Sequence, residues 1–499
     1  MAILGPIYQH DGDRIAVQAG DTAITYRRFC ADVDSMARWL IGNGLEPGAR
    51  ISIHVKNIGQ PRYWDWVAHL GAIRAGLGHS TGLPPAPVAQ SGALGRRAAA
   101  IGYELAKVPG QTALKLPFDP QDDSAPLSEQ LTIDDGVAID DDLEKSAIRF
   151  LSTSGTTGSA KVLAWDRDMI ERRNARLLES GVIDASTRLL PILGYPTTAG
   201  FRFPLATWHV GGTVILPPTG KTDYSLVDLG ASSNLVISSA FRLGQTLDKQ
   251  PREWENKEAR KVMLFGGRVP PALRDNALRL ACGSLVTNYG STEAGNIASG
   301  DASLIERHPG AAGIVRSDVT VEIVDGKGSV RPAGQEGIIR LKTDTMCEGY
   351  LGPVRQGSGK SPFRDGWFYP GDLGFVDEDG MLAITGRTSE TINIGGSKVS
   401  TAVLETKLEK LPGVRETCLI SMALPKGDTL VVAAVCNQAV DLAKLRQQMQ
   451  PHIPRALPWK LVRVPKIPRN QMGKPMRKKL AKILSVRTPI ARTGALQDQ

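Results

Sequence analysis

Residues 151–162 read LSTSGTTGSAKV and begin in the last two residues of an apolar, strand-like run, AIRFLS. The stretch is too polar for a core and too biased for an ordinary turn. Ser, Thr and Gly expose backbone N–H groups and add hydroxyl donors, and Lys161 brings a positive charge to the end of the run. That is the chemistry of a loop that wraps a polyphosphate. The spacing excludes a Walker loop, G-x-x-x-x-G-K-[ST]. Gly155 and Gly158 are too close together, and Val162 stands where a hydroxyl would hold magnesium. The dinucleotide pattern G-x-G-x-x-G does not fit either. Composition alone leaves a plain Ser/Thr/Gly linker open, so the rest of the chain has to decide.

At 499 residues the chain is long enough for two or more domains. Charged residues make up 22% and hydrophobic ones 41%, a globular balance. The net charge of +9 suits a polyanionic ligand such as a nucleotide, coenzyme A or nucleic acid, and equally suits plain solubility. Cys30, Cys282, Cys347, Cys418 and Cys436 are scattered without a C-x-x-C pair. They indicate neither a zinc site nor a disulfide framework, and a reducing compartment fits best. The opening MAILGPIYQHDGD lacks the basic and apolar regions of a signal peptide. No apolar run approaches the roughly 20 residues that span a membrane. A cytoplasmic protein is the expectation.

Hydrophobic periodicity predicts a helix over 25–42, a strand at ARISIHV and a helix over 61–76. The strand-like runs AIRFLS, RLLPIL, GTVIL, LVIS and KVMLF then recur with helical segments among them. This alternation predicts a layered α/β body with largely parallel sheets. Residues 80–146 are the least readable, and PPAPVAQSGALGRRAAA reads as loop or helix. After residue 315, VTVEIVD, GIIRLK and GMLAITG form a small antiparallel unit. From residue 387 the pattern becomes a compact α+β domain: a helix at 401–410, two strands, a helix at 441–450, the strand KLVRV and a basic helix from about 474. Two domains are expected, 1–386 and 387–499.

Four further stretches stand in a telling order: NYGSTEAG (288–295), YPGDLG (369–374), GRTSETINIGGSKV (386–399) and PRNQMGKPMRKKL (468–480). With TSGTTGSAK, and with ITYRRFCADVDSMARWLIGNGLEPGARISIHVKN near the start, the chain resembles the adenylate-forming superfamily. That superfamily holds acyl-CoA synthetases, nonribosomal peptide adenylation domains and firefly luciferase. The resemblance runs from about residue 10 to residue 484. It implies a large N-terminal α/β domain binding ATP and an acid, followed by a small mobile α+β domain.

The same resemblance implies the roles of individual residues. Thr153, Ser154, Gly155, Thr156, Thr157, Gly158 and Lys161 would hold the β- and γ-phosphates of ATP. The family usually ends this loop in Pro-Lys-Gly, where this chain has Ala160, Lys161 and Val162. Tyr289 would stack on adenine, Thr292 would contact the α-phosphate and Glu293 would hold Mg²⁺. Asp372 would accept the ribose hydroxyls, and Arg387 would reach the ribose. Lys474 would bridge the substrate carboxylate and the α-phosphate as negative charge builds. The small domain would then rotate about Ser389, where relatives carry Asp or Lys. Gly396 would let a thiol arm pass, and Lys398 would meet a phosphate of coenzyme A. Catalysis would thus rest on Lys474, Glu293 and Thr292.

The expected reaction joins a small carboxylic acid to coenzyme A through acyl-AMP. The alternative acceptor is the phosphopantetheine arm of an acyl carrier protein, or an amine. A non-catalytic relative would not need Glu293, Asp372, Arg387 and Lys474 together. Nucleic-acid binding by the basic tail lacks interleaved aromatics. The loop LGYPTTAGFRF carries no acid to bind an α-ammonium, which argues against an amino-acid substrate. It offers Tyr195 where acyl-CoA synthetases carry an aromatic-His pair. Arg202 and Arg268 are read as surface residues rather than partners of a second substrate carboxylate.

Overall fold

The computed structural model describes residues 3–54, 62–81, 98–102, 112–115, 125–131, 137–139, 141–153, 161–219, 223–267, 269–308, 311–351, 361–388, 391–394, 397–424, 427–454, 457–469, 473 and 475–487. They fold as two compact units. The first is Met1–Thr320 with Leu341–Phe368, and the second is Val321–Arg340 with Tyr369–Gln499.

In the first unit a six-stranded sheet runs Thr112–Lys115, Ala98–Gly102, Arg50–His54, Gly78–Thr81, Ile148–Thr153, Lys161–Trp165. Every pair is parallel except the last, an antiparallel hairpin in which Thr153 faces Lys161. Of the stretch read as loop or helix, residues 84–97 lie outside the described residues, and its last three belong to the strand Ala98–Gly102. Alanine favours helix, but strands on both sides pair with this backbone, and tertiary pairing overrides propensity.

A second, larger sheet carries parallel strands in the order Ser284–Ser291, Lys261–Phe265, Leu235–Ser239, Arg188–Pro191, Thr213–Leu216, Ile15–Ala19. Gly295–Asp301 and Ala311–Val315 continue it antiparallel from Ser284–Ser291, and Thr22–Thr25 folds back on Ile15–Ala19. Thr213–Leu216 and Leu235–Ser239 are buried at every position, as strands covered on both faces must be. Leu243, Leu247, Ala277 and Leu280 of the helices Ala240–Lys249 and Pro271–Leu280 pack there against Val236, Val262 and Leu264.

The helix Tyr63–Arg74 is buried along its length up to Ile73. Its Trp66 meets the rings of Tyr195 and Trp208 at 4.8 and 5.0 Å, and Tyr63 meets Phe29. Phe29 belongs to the helix Tyr26–Gly42, which Thr25 caps by accepting from the Arg28 N–H. Between the two helices the Tyr63 hydroxyl donates to buried Asp32 at 2.6 Å.

In the second unit Asp372–Val376 pairs antiparallel with Met381–Arg387 and with residues 337–338. A hairpin follows, Thr391–Ile394 with Ser397–Ser400. Then comes a three-stranded sheet in the order Val414–Leu424, Gly427–Cys436, Trp459–Arg463. Alternate residues face opposite sides of it. Leu419, Leu430 and Val432 pack with Leu404, Leu408 and Leu445 of the helices Thr401–Leu408 and Leu442–Met449. Cys418, Ile420 and Val431 pack with Leu480 and Leu484 of the helix Arg477–Arg487. That helix starts later than 474 because Pro475 is held extended in an antiparallel bridge with Arg469.

Glu405, on Thr401–Leu408 with 13% of its side chain exposed, accepts from Arg477 Nη2 at 2.8 Å and from the Leu419 N–H at 2.7 Å. Burial pushes its pKa up to about 7, outweighing Arg477 and the N–H. The folded chain therefore holds this proton more tightly than the unfolded chain. The resulting stability is complete below the unfolded pKa and is lost as pH rises through about 7. Relative to Glu405→Gln, the parent protein should lose stability between pH 4.5 and 7. Denaturant unfolding of both proteins across that range checks it.

Candidate active site

The strand Ile148–Thr153 leads into residues 154–160, and Lys161–Trp165 returns beside it. Thr153 and Lys161 thus form the neck of the hairpin. Ser154, Gly155, Thr156, Thr157 and Gly158 lie outside the described residues. Lys161 Nζ stands 4.8 Å from the centre of the Tyr350 ring. The Tyr350 hydroxyl donates to Glu293 Oε1 at 2.6 Å. Lys161, Tyr350 and Glu293 therefore form one chain of contacts. Burial, with Glu293 next in strength, raises the Tyr350 pKa far above the usual phenol value, so the phenol stays a donor. The unusual Val162 also finds a reason. It is 2% exposed, it packs on Phe150 with Leu351 alongside, and its carbonyl accepts from the Leu351 N–H at 2.8 Å. A glycine there would leave that small core unfilled.

Glu293 sits in the turn between Ser284–Ser291 and Gly295–Asp301, with its side chain buried. The turn is tight: a Cβ on Gly290 would lie 2.2 Å from the Gly295 carbonyl, and Gly295 has φ +82°. Tyr289 is half-buried and pairs with Ala298 just before a register shift. Arg173, on the helix Arg167–Glu179, holds the turn from beneath. Its Nη1 donates to the Thr292 carbonyl at 3.0 Å, its Nη2 to the Glu293 carbonyl at 3.0 Å, and its Nε to the Thr345 carbonyl at 3.1 Å. The Cys347 N–H donates to the Glu293 carbonyl at 2.8 Å and joins the two segments. The guanidinium lies over the Trp165 ring, and burial lowers its pKa to about 10, so it keeps its charge.

Among the described residues no three His, Cys, Asp or Glu side chains cluster as a metal centre. A buried carboxylate, Glu293, joined to Lys161 through Tyr350, instead fits a Mg²⁺ that is carried largely by phosphate oxygens.

In the second unit Asp372 and Arg387 are paired residues of adjacent strands, and Arg387 Nε meets Asp372 Oδ1 at 2.7 Å. The carboxylate is buried, and Gly371 at φ +80° makes the turn before it. Lys398 lies on Ser397–Ser400, opposite Asn393. Ser389, Gly396 and Lys474 lie outside the described residues, as does Arg268.

Tyr195 is buried, 1% exposed. Its hydroxyl and carbonyl accept from Arg149 Nη1 and Nη2 at 2.7 and 2.8 Å, and the His69 ring stacks on it at 3.7 Å. Arg202 is not a surface residue. It is 8% exposed on the helix Thr198–His209, which is buried almost throughout, and its Nη2 donates to the Arg173 carbonyl. Burial lowers its pKa to about 9, with Arg173, Arg316 and Arg176 adding to the effect.

Sequence reasoning passed over Arg149, Arg173 and Tyr350. Arg173 had a signal. With Met169, Ile170, Asn174 and Leu177 it lies on the buried stripe of its helix, where a charge demands an explanation. Tyr350, between Gly349 and Leu351, had none beyond its type.

The AMP-binding enzyme family matches residues 7–351. A salicylyl-CoA synthase / salicylate adenylyltransferase of Streptomyces sp is 25% identical over 95% of this chain and 91% of its own length. The fatty acid–[acyl-carrier-protein] ligase ScoC of Streptomyces coeruleorubidus is 25% identical over 95% and 94%. Among solved structures, ATP-bound MatB from Rhodopseudomonas palustris superposes with a TM-score of 0.80 at 22% identity, covering 97% of this chain and 99% of that one. The o-succinylbenzoate CoA synthetase MenE of Bacillus subtilis, with its acyl-adenylate OSB-AMP, gives 0.77 at 20% identity and 99% of each chain. With the family matched over more than half its length, the chain belongs to the AMP-binding enzymes.

Proposed function

We propose that this protein is an acid–thiol ligase that works through an acyl-adenylate. A substrate carboxylate oxygen attacks the α-phosphorus of ATP. That P–O bond forms as the bond to the β-phosphate breaks, and pyrophosphate leaves. A thiolate then attacks the acyl carbon, a C–S bond forms, and AMP leaves with the oxygen it had gained. The observation that carries the reading is the Lys161–Tyr350–Glu293 chain at the neck of the hairpin. It links a cation for phosphate to a carboxylate for a metal through one tyrosine, in a chain of the AMP-binding family.

In this reading residues 153–161 hold the β- and γ-phosphates, Thr292 touches the α-phosphate and Tyr289 stacks on adenine. Glu293 holds Mg²⁺, which would neutralise phosphate charge. Asp372 and Arg387 take the ribose. Lys474 meets the charge that builds between carboxylate and α-phosphate, and Lys398 and Gly396 serve the thiol arm. Coenzyme A is the first choice of acceptor. A carrier-protein arm is the second, because a relative that matches nearly the whole chain is named an acyl-carrier-protein ligase. The five cysteines are unpaired, which fits a cytoplasmic setting.

A panel of carboxylic acids assayed by ATP–pyrophosphate exchange tests the first half-reaction, and adding coenzyme A or a carrier protein names the acceptor. Lys474→Ala should lower exchange by about 10²–10³ and spare thioester formation from supplied acyl-AMP. Equal loss in both halves would overturn the reading. Glu293→Gln should raise the Mg²⁺ concentration needed for half-maximal exchange; an unchanged titration rejects the assignment. Arg173→Met strips the donors from the Thr292, Glu293 and Thr345 carbonyls. It should cost on the order of 3 kcal/mol of stability and raise the KM for Mg-ATP, read by calorimetry and exchange kinetics.

A further inference from the structure

Residues 468 and 476 close a hairpin. The Met476 N–H donates to the Pro468 carbonyl at 2.7 Å, and one residue further in Arg469 bridges antiparallel to Pro475. Gly473, inside the hairpin, is buried at φ +78°, a conformation costly for any residue with a Cβ. From the opposite arm Arg469 Nη1 donates to the Gly473 carbonyl at 2.6 Å, and Nη2 donates to Glu416 Oε2 at 2.8 Å. Glu416 follows a register shift in the strand Val414–Leu424, and such a bulge re-aims the side chain after it. The Gly473 carbonyl belongs to the peptide whose nitrogen is that of Lys474. A planar guanidinium donating in two fixed directions therefore ties that peptide to the three-stranded sheet.

We propose that Arg469, with Glu416 behind it, is a positioning residue for the adenylation half-reaction: it orients the peptide from which Lys474 departs. This rests on the role given to Lys474 above. The Arg469–Glu416 pair is partly exposed, 21% and 41%, so it contributes little to folding. The helix Arg477–Arg487 has its own anchor, because Arg477 bonds Glu405 and the Leu419 carbonyl. Loss of Arg469 should thus free the Gly473 carbonyl while the backbone pairing and the unit stay in place. A lysine keeps the charge but not the fork, so Arg469→Lys should rescue only part of the effect.

The test compares Arg469→Met, Arg469→Lys, Glu416→Gln and Lys474→Ala in the full chain. Each variant is read by ATP–pyrophosphate exchange, by thioester formation from supplied acyl-AMP and by circular dichroism. Arg469→Met should lower kcat for exchange by about 10- to 100-fold, the scale of a misplaced catalytic group. Its thioester formation and spectrum should match the parent. Arg469→Lys should fall between them, and Glu416→Gln should show a smaller, equally selective loss. Parental exchange in Arg469→Met, or equal loss in both half-reactions, overturns the proposal. If Arg469→Met misfolds, Glu416→Gln decides: selective loss supports the clamp and parental behaviour rejects it. Exchange surviving in Lys474→Ala would instead reject the role of Lys474, and the clamp with it.

Discussion

A guanidinium sealed from water must find acceptors, and in this chain it finds them in the backbone. Arg173 is 1% exposed, and its N–H groups reach the carbonyls of Thr292, Glu293 and Thr345. Leaving any of those donors unmet inside the protein would be expensive. One charge therefore brings together two segments far apart in sequence, the turn at 292–294 and the stretch 345–350. Once they are joined, the Tyr350 hydroxyl lies on the Glu293 carboxylate and its ring lies under Lys161. The contacts among Lys161, Tyr350 and Glu293 thus rest on a buried cation that bonds only backbone carbonyls of the segments it joins.

The same device recurs. Arg149 reaches from the six-stranded sheet to grip both ends of Tyr195, in the loop after a strand of the larger sheet. Arg260 donates to the carbonyls of Gly230, Ser233 and Ala281. Buried arginines serve here as multi-pronged caps for loop carbonyls, which fits a fold whose long crossovers leave many backbone groups to be paired.

Much of this was legible in the sequence because period and order carry it. The alternation of strand-like runs at 188–191, 213–216, 235–239 and 261–265 with helical segments pointed to the parallel strands, and the strand within 414–424 was also legible. Asp372 and Arg387 were singled out separately by the resemblance; that they stand paired on adjacent strands appears only in the antiparallel register. What stayed hidden depends on tertiary partners. An alanine run became a strand because neighbours offered it a ladder. Arg202 looked like a surface charge because nothing local says that its helix is enclosed. Tyr350 is an aromatic beside a glycine until Glu293 is folded against it.

The strand Ile15–Ala19 takes its place in the larger sheet beside Thr213–Leu216, with Val17 opposite Val214. During synthesis its partner does not exist until some two hundred further residues have been added. At roughly 5–20 residues per second, that is on the order of ten seconds or more at the ribosome. Through that interval the apolar residues Ile15, Ala16 and Val17 can pair only with Thr22–Thr25, which turns back on them at once. The early hairpin gives the nascent chain a local partner for an edge that would otherwise wait exposed, so the outermost strand of the sheet also acts as a temporary cover for the one beside it.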